Sequence, residues 1–355
     1  MIDRYHCTVV LIIAACLDYL IGDPWGWPHP VRAMGWAIAR YTQFIFNLQN
    51  DRGREVPVWL LRWAGIILGI GLVMGGGTVS WWIVEAANWI SPVCGIAVEA
   101  ILLASCFAGR SLREAALDVL QPLNTGDLIK ARERLTLYVG RDTENLSEPE
   151  ILRAVLETVT ENAVDGVMAP LFYALVGAAI SELFLKVSDI PLAPVASVPC
   201  FAVPLAIAYK AASTLDSMVG YKEAPYTYLG WFSAKLEDAL TWLPCRFTVF
   251  TLAFLSGKPL YVWKICQRDA LKDPSPNSGW SECAYAAVLG VQLGGINSYR
   301  GVIKHKPLLG EPIRPITAER ISDALRLTRY CFLIWLALSL LFYGFFFLGQ
   351  LLTCF

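Results

Sequence analysis

Apolar residues along this chain gather into long uncharged runs, separated by polar segments dense in charge and turn formers. Between Arg62 and Glu85, between Asp189 and Lys210, and from Arg329 to the C-terminus, no charged side chain occurs. A helix needs about 20 apolar residues to cross roughly 30 Å of hydrocarbon. The pattern therefore predicts membrane spans at about 5-21, 58-84, 88-108, 166-186, 190-209 and 330-353. A shorter run at 240-257 is interrupted by Pro244 and Arg246, and whether it crosses decides which side the segments after it face. The stretch from Tyr5 to Leu17 has the form of a signal-peptide core, but no small-residue cleavage site follows, so it is predicted to stay as a first membrane helix.

The polar stretch between Gly109 and Gly166 has helical periodicity and clear caps. Thr125-Gly126-Asp127 opens a short helix carrying Leu128, Ala131, Leu135 and Leu137. Ser147 caps the next, with Glu150 closing a capping box and Pro149 in the first turn, where a missing N–H costs nothing. No internal repeat is present. The expected fold is all-α: a polytopic membrane helix bundle forming a single integral membrane domain over residues 1-355. Cytoplasmic helical insertions and irregular polar loops are expected at about 22-56, 109-165, 210-240 and 264-329.

Composition sharpens this picture. The mean hydropathy is +0.49 and only 17% of residues are charged, as expected of a chain living in lipid. A net charge of -1 and a pI near 6.3 leave no basic stripe to neutralise a phosphate backbone, which excludes a nucleic-acid partner. From Lys264 to Arg329 there are ten Lys or Arg against six Asp or Glu, which favours the cytoplasm for that segment. Ten scattered cysteines without a C-x-x-C pair, and three histidines, argue against a zinc or iron-sulfur site, and the thiols are expected to act as small hydrophobes.

Several constellations have chemical content. Glu157, Glu161 and Asp165 follow at i, i+4 steps, with Asn162 beside them, just before an apolar span. On one helix they share a face, and like charges so spaced call for a cation. Magnesium suits such oxygen ligands and arrives with nucleotide phosphates. A solvated acidic face paired with Arg153 is the competing interpretation. Gly22-Asp23-Pro24 to His29-Pro30-Val31-Arg32 makes a rigid loop at the membrane surface, where Asp23 suits a metal, Arg32 a carboxylate or phosphate, and Trp25 and Trp27 interfacial anchoring. Lys210, Thr214, Asp216, Ser217 and Tyr221 fall within a few helical turns, although Lys210 equally suits a snorkelling position at the end of a span. Glu237 and Asp238 precede Trp242 and Arg246, and an ordinary surface ion pair is the simplest interpretation of them. Asp273-Pro274-Ser275-Pro276-Asn277-Ser278-Gly279-Trp280 is too broken by proline for a helix. Gly294-Gly295-Ile296-Asn297-Ser298-Tyr299 offers a glycine-rich turn able to cradle phosphate, without matching a Walker A or Rossmann pattern.

Taken in order along nearly the whole chain, these segments resemble the adenosylcobinamide-phosphate synthase family, the CobD/CbiB membrane proteins. The resemblance rests on Leu17-Asp18 through Gly22-Asp23-Pro24, His29-Pro30, Val139-Gly140-Arg141-Asp142-Thr143, and Glu157-Thr158 through Glu161-Asn162 to Asp165-Gly166-Val167. It continues through Tyr209-Lys210, Thr214 to Tyr221, Pro274 to Trp280 and Leu293 to Tyr299; Ser278 and Ile296 depart from the pattern, standing where Ala and Pro are expected.

The resemblance implies an enzyme of the cell inner membrane that joins adenosylcobyric acid to aminopropanol phosphate or ethanolamine phosphate through an amide bond, consuming ATP with magnesium, its site facing the cytoplasm. Other cobalamin-pathway enzymes are possible partners. Activating a carboxylate by phosphoryl transfer needs metal ligands, phosphate cations and positioning. Glu157, Glu161 and Asp165 are the expected magnesium ligands or base, with Asp216 and Asp23 as further acids. Arg141, Lys210 and Arg32 are expected to bind phosphates, and Asp142, Asn162, His29, Ser217 and Tyr221 to contact substrate. Ser275, Asn277, Asn297 and Tyr299 are expected to hold the corrinoid. Two rivals are a membrane transporter or receptor for a corrinoid precursor and a non-catalytic scaffold. Charged motifs at span ends rather than mid-span favour the enzyme.

Overall fold

The computed structural model describes residues 6–23, 26, 28–51, 57–187 and 200–353. In chain order its helices are α1 (His6–Leu20), α2 (Pro30–Asp51), α3 (Val58–Ile90), α4 (Pro92–Ala104), α5 (Gly109–Asn124), α6 (Leu128–Leu135) and α7 (Glu148–Asn162), then a π-helical turn (Ala163–Met168). There follow α8 (Ala169–Val187), α9 (Ala202–Val219), α10 (Trp231–Leu255), α11 (Pro259–Asp269) and α12 (Ser278–Leu289), a hairpin of β1 (Gln292–Tyr299) and β2 (Val302–Gly310), and α13 (Ala318–Thr353). These residues form two compact units, Met1–Phe107 with Ala169–Leu240, and Ala108–Met168 with Thr241–Phe355.

Among the described residues, four helical stretches are long and apolar enough to cross a membrane: Val58–Ile90, Pro92–Asn124, Glu148–Phe184 and Ala318–Leu341; His6–Leu20 is apolar but shorter. The predicted spans at 58-84, 88-108, 166-186 and 330-353 overlap these four, the last only as far as Leu341. The predicted 190-209 span lies partly outside the described residues, and its described part, in α9, is not among the four. Nor is α10, which covers the ambiguous 240-257 run.

In the first unit α9 packs against α2, α3 and α8. Ile38, Leu68, Leu215 and Val219 from three of these helices form one buried cluster, with Tyr41, Met218 and Tyr226 against it. Close approach depends on small residues: a Cβ on Gly65 would lie 2.0 Å from the Leu229 carbonyl oxygen. Glu99, inside the apolar α4, is buried, and the His6 ring nitrogen of α1 meets it at 2.5 Å, which gives that charge the partner lipid would deny it. Cys7 and Cys200 are joined as a disulfide, a departure from the expectation that all ten cysteines are apolar filler.

Pro244 does not break α10. Proline lacks the N–H that would bond the carbonyl four residues earlier, and here that carbonyl, on Leu240, accepts the Tyr173 hydroxyl at 2.9 Å instead.

In the second unit the predicted caps form. The Asp127 side chain accepts from the Lys130 amide at 3.0 Å, and Glu150 accepts from the Ser147 amide at 2.7 Å and the Ser147 hydroxyl at 2.6 Å. Where irregular loop was expected within 264-329, β1 and β2 pair antiparallel, Ile296 opposite His305 and Tyr299 opposite Val302, with a bulge between Leu293 and Gly295. Their two-residue turn, Arg300-Gly301, has φ of 51° and 77°, the left-handed pair that matches strand twist.

Candidate functional site

Within the second unit, α7 brings Arg153, Glu157 and Glu161 into line one turn apart, and the π turn then carries Asp165. The wider π turn breaks the i, i+4 repeat after Glu161, so Asp165 does not continue the stripe in the register an unbroken α-helix would give. Among the described residues no three His, Cys, Asp or Glu side chains are grouped to hold a metal ion.

Glu157 is buried, 1% exposed, and both its oxygens are engaged. The Arg141 guanidinium donates to one. The Gly294 amide donates to the other at 2.9 Å, with Arg153 at 3.8 Å from it. Arg141 and Arg153 also share the Asn297 amide oxygen at 3.0 and 3.1 Å, and Arg153 donates to the Gly294 and Ile296 carbonyls. The glycine-rich segment is therefore strand rather than a free phosphate-cradling turn, and the Gly294 amide is committed to Glu157. Gly294 has φ 87°, and a Cβ there would lie 1.9 Å from the Pro307 carbonyl oxygen, so only glycine admits this bulge.

Asp142 secures the far end of the hairpin. It accepts from the Ser298 hydroxyl, and from the Arg300 and Gly301 amides at 2.8 Å each. The Ser298 hydroxyl and the two amides hold its carboxyl below the usual aspartate value. At the near end Asp269 is buried, which alone would raise its carboxyl, but Arg268, Lys272 and the Gly310 amide bring it down to about 2. The hairpin is thus fixed at both ends, by the segment between α6 and α7 and by the end of α11.

Glu161 differs from Glu157. Its side chain is exposed, it makes no hydrogen bond or ion pair among the described residues, and Lys306, Asp273, Glu157 and Arg141 lie within electrostatic reach. Lys306, on β2, donates to both oxygens of Glu282 at 2.7 and 2.8 Å. Glu282, on α12, is fully buried, which pushes its carboxyl up, while Lys306 pulls against that shift. Burial would lower Lys306, but Glu282, Glu157 and Glu161 together raise it above the usual lysine value, so it stays an ammonium. Neither residue was singled out from sequence. The usable signal was Glu282, the lone charge in the helix SGWSECAYAAVL, since a buried carboxylate requires a cation.

The other predicted residues of this unit have defined local roles. The Ser275 hydroxyl accepts from the Asn277 and Ser278 amides at 3.3 and 3.1 Å, opening α12, and Asn277 is buried. The Asn162 amide donates to the Thr158 carbonyl at 2.9 Å, and Lys304 sits 5.3 Å from the centre of the Tyr299 ring.

In the first unit His29 Nε2 donates to Asp23 at 3.0 Å, a tautomer fixed because Nδ1 accepts the Val31 amide at 3.2 Å, so the pair starts α2. Arg32 is exposed, and Trp25 and Trp27 lie outside the described residues. Lys210 and Asp23 are both within electrostatic reach of Cys106. Asp216 closes α9, its carbonyl accepting the Gly220 amide at 2.8 Å, while the Ser217 hydroxyl donates to Thr214 and the Tyr221 hydroxyl to Ser217. Lys235 and Asp238 form a surface ion pair at 3.6 Å, and Glu237 is buried.

A family model described as CobD/Cbib protein matches residues 11–328. The chain is 53% identical over 333 residues to the cobalamin biosynthesis protein CobD of Synechocystis sp., covering 94% of this chain and 91% of that relative. It is 40% identical to the protein of the same name from Geobacter metallireducens, with 92% and 95% covered, and 38% identical to the cobalamin biosynthesis protein CbiB of Salmonella typhimurium, with 92% and 93% covered. No solved structure matches the chain.

Proposed function

This chain belongs to the CobD/CbiB family, and from that premise we propose that it acts in cobalamin biosynthesis as an ATP-dependent amide synthase. The proposed reaction joins adenosylcobyric acid to aminopropanol phosphate or ethanolamine phosphate. The observation that carries the chemical part is Glu161, an exposed carboxylate without a hydrogen-bond partner among the described residues, with the cations Lys306 and Arg141 in reach. An uncommitted carboxylate with both cations and carboxylates in reach suits a ligand that brings both phosphate and metal.

The donors fit magnesium carried by a nucleotide rather than a dedicated protein cage. Magnesium keeps several waters and takes one or two carboxylates plus substrate phosphates. Glu161 is the carboxylate placed to serve, with Asp165 and Asp273 as neighbours, and the ion when bound neutralises phosphoryl charge. Glu157 instead orders Arg141 and Arg153. In the proposed reaction the corrinoid carboxylate attacks the γ-phosphorus, ADP leaves, the amine attacks the acyl carbon, and phosphate departs with one former carboxylate oxygen. Phosphoryl transfer of this kind is catalysed chiefly by positioning and charge. We place the site on the cytoplasmic face, where ATP is.

The test incubates purified protein with adenosylcobyric acid, an amino-alcohol phosphate, ATP and magnesium, and looks for the condensed corrinoid by mass spectrometry. Product is expected only when all four are present, and the preferred amine identifies the substrate. Corrinoid binding without product under varied conditions would point to transport instead.

A further inference from the structure

We propose that Lys306, held in place by the buried Glu282, binds a phosphate of the magnesium-complexed nucleotide. This rests on the ATP-dependent reading above and assigns a residue pair to it.

A lysine ammonium has three donors. Two reach the two oxygens of Glu282 at 2.7 and 2.8 Å, and the third has no partner among the described residues. The Lys306 side chain is 22% exposed while that of Glu282 is fully enclosed, so the open side of the pair belongs to the ammonium. The enclosed carboxylate therefore fixes the position of an ammonium whose remaining donor faces outward and can be given to a ligand in exchange for water.

The placement of Lys306 is also fixed by the hairpin. It stands opposite Gly295 in the ladder, beside the bulge whose Gly294 amide binds Glu157 and whose carbonyl receives Arg153. Glu282 fixes the same ammonium from α12. β2, the adjoining bulge and α12 thus hold the ammonium in one place, within electrostatic reach of the exposed Glu161.

The surrounding charge selects the ligand. Glu161 and Glu157 act on Lys306, and Asp273 acts on Glu161. A bare phosphate dianion approaching Lys306 would meet these carboxylates, whereas a phosphate carrying magnesium brings its own compensation. That favours the nucleotide over the amino-alcohol phosphate as the source of the phosphate.

The test measures binding of a non-hydrolysable ATP analogue with magnesium, and separately of the amino-alcohol phosphate, to the full-length protein in detergent. Lys306→Met is expected to weaken analogue binding about 10- to 100-fold, the value of one charge-assisted hydrogen bond, and Lys306→Arg to restore part of it. Lys306→Met leaves Glu282 buried and unpaired, so Lys306→Met with Glu282→Met, which removes both charges, keeps the fold testable. The double variant is expected to fold and to show the same loss, with amino-alcohol phosphate binding unchanged. A folded double variant that binds the analogue as wild type does would overturn the assignment. So would a loss confined to the amino-alcohol phosphate, which would give Lys306 to the other phosphate. A wild-type protein that binds no nucleotide would instead remove the ATP-dependent reading beneath it.

Discussion

Glu157 and Glu161 lie one turn apart on α7 and end in opposite situations: one is buried between two arginines and a backbone amide, the other is exposed and uncommitted. Substitution should separate them. Glu161→Gln should lower condensation by about 10² to 10³, the usual loss on removing one transition-state electrostatic contact, while the melting temperature holds or rises because a repulsive carboxylate has gone. Glu157→Gln should lose stability instead, by about 3–5 kcal/mol as for other broken buried pairs, seen as a lower melting temperature and faster proteolysis. Equal melting temperatures for the two would contradict this division. The spacing of Glu157, Glu161 and Asp165 was visible in sequence because it is local. Arg153, one turn before Glu157, was legible for the same reason, whereas the Gly294 amide that binds Glu157 and the Lys306 ammonium near Glu161 lie more than a hundred residues away, and only the folded hairpin brings them to α7.

Among the elements, those written in local chemistry were legible: the Asp127 and Ser147 caps start α6 and α7 where turn and capping residues place them. The π turn and the hairpin were not. A π turn has no composition signal, and the Arg300-Gly301 turn lacks the Asn-Gly or Asp-Gly pair that marks such a turn. Asp142 supplies the stabilisation that turn chemistry omits. Its carboxyl sits below the ordinary aspartate value, so its contribution is complete above about pH 4 and is lost as pH falls through the lowered folded value. Hydrogen exchange at the Arg300 and Gly301 amides, corrected for intrinsic rates, should therefore lose protection as the medium is acidified below about pH 4. Asp142→Asn should lose part of that protection already at neutral pH. Protection insensitive to both changes would mean that the turn holds without Asp142. At α10, Tyr173→Phe should destabilise by about 1 kcal/mol, one net hydrogen bond, because the Leu240 carbonyl loses its donor. An unchanged melting temperature would show that carbonyl to be satisfied otherwise.

At the scale of the whole chain, hydropathy located the long apolar helices found among the described residues because lipid demands length and apolarity that sequence displays directly. It was less informative at 240-257, where Pro244 and Arg246 lie inside α10. Reporter fusions or cysteine accessibility should place 109-147 and 264-317 in the cytoplasm, following the excess of Lys and Arg in the second segment. A periplasmic result for either would remove Arg141 or Lys306 from the proposed chemistry. The central claim is that ATP activates the corrinoid carboxylate, and an isotope measurement tests it most directly. Adenosylcobyric acid labelled with ¹⁸O in its reactive carboxyl is condensed by the purified protein, and the label is followed by mass spectrometry. The account predicts ADP as the nucleotide product and one ¹⁸O in the inorganic phosphate for each amide formed; label in AMP, or amide formed with no ATP consumed, would contradict it.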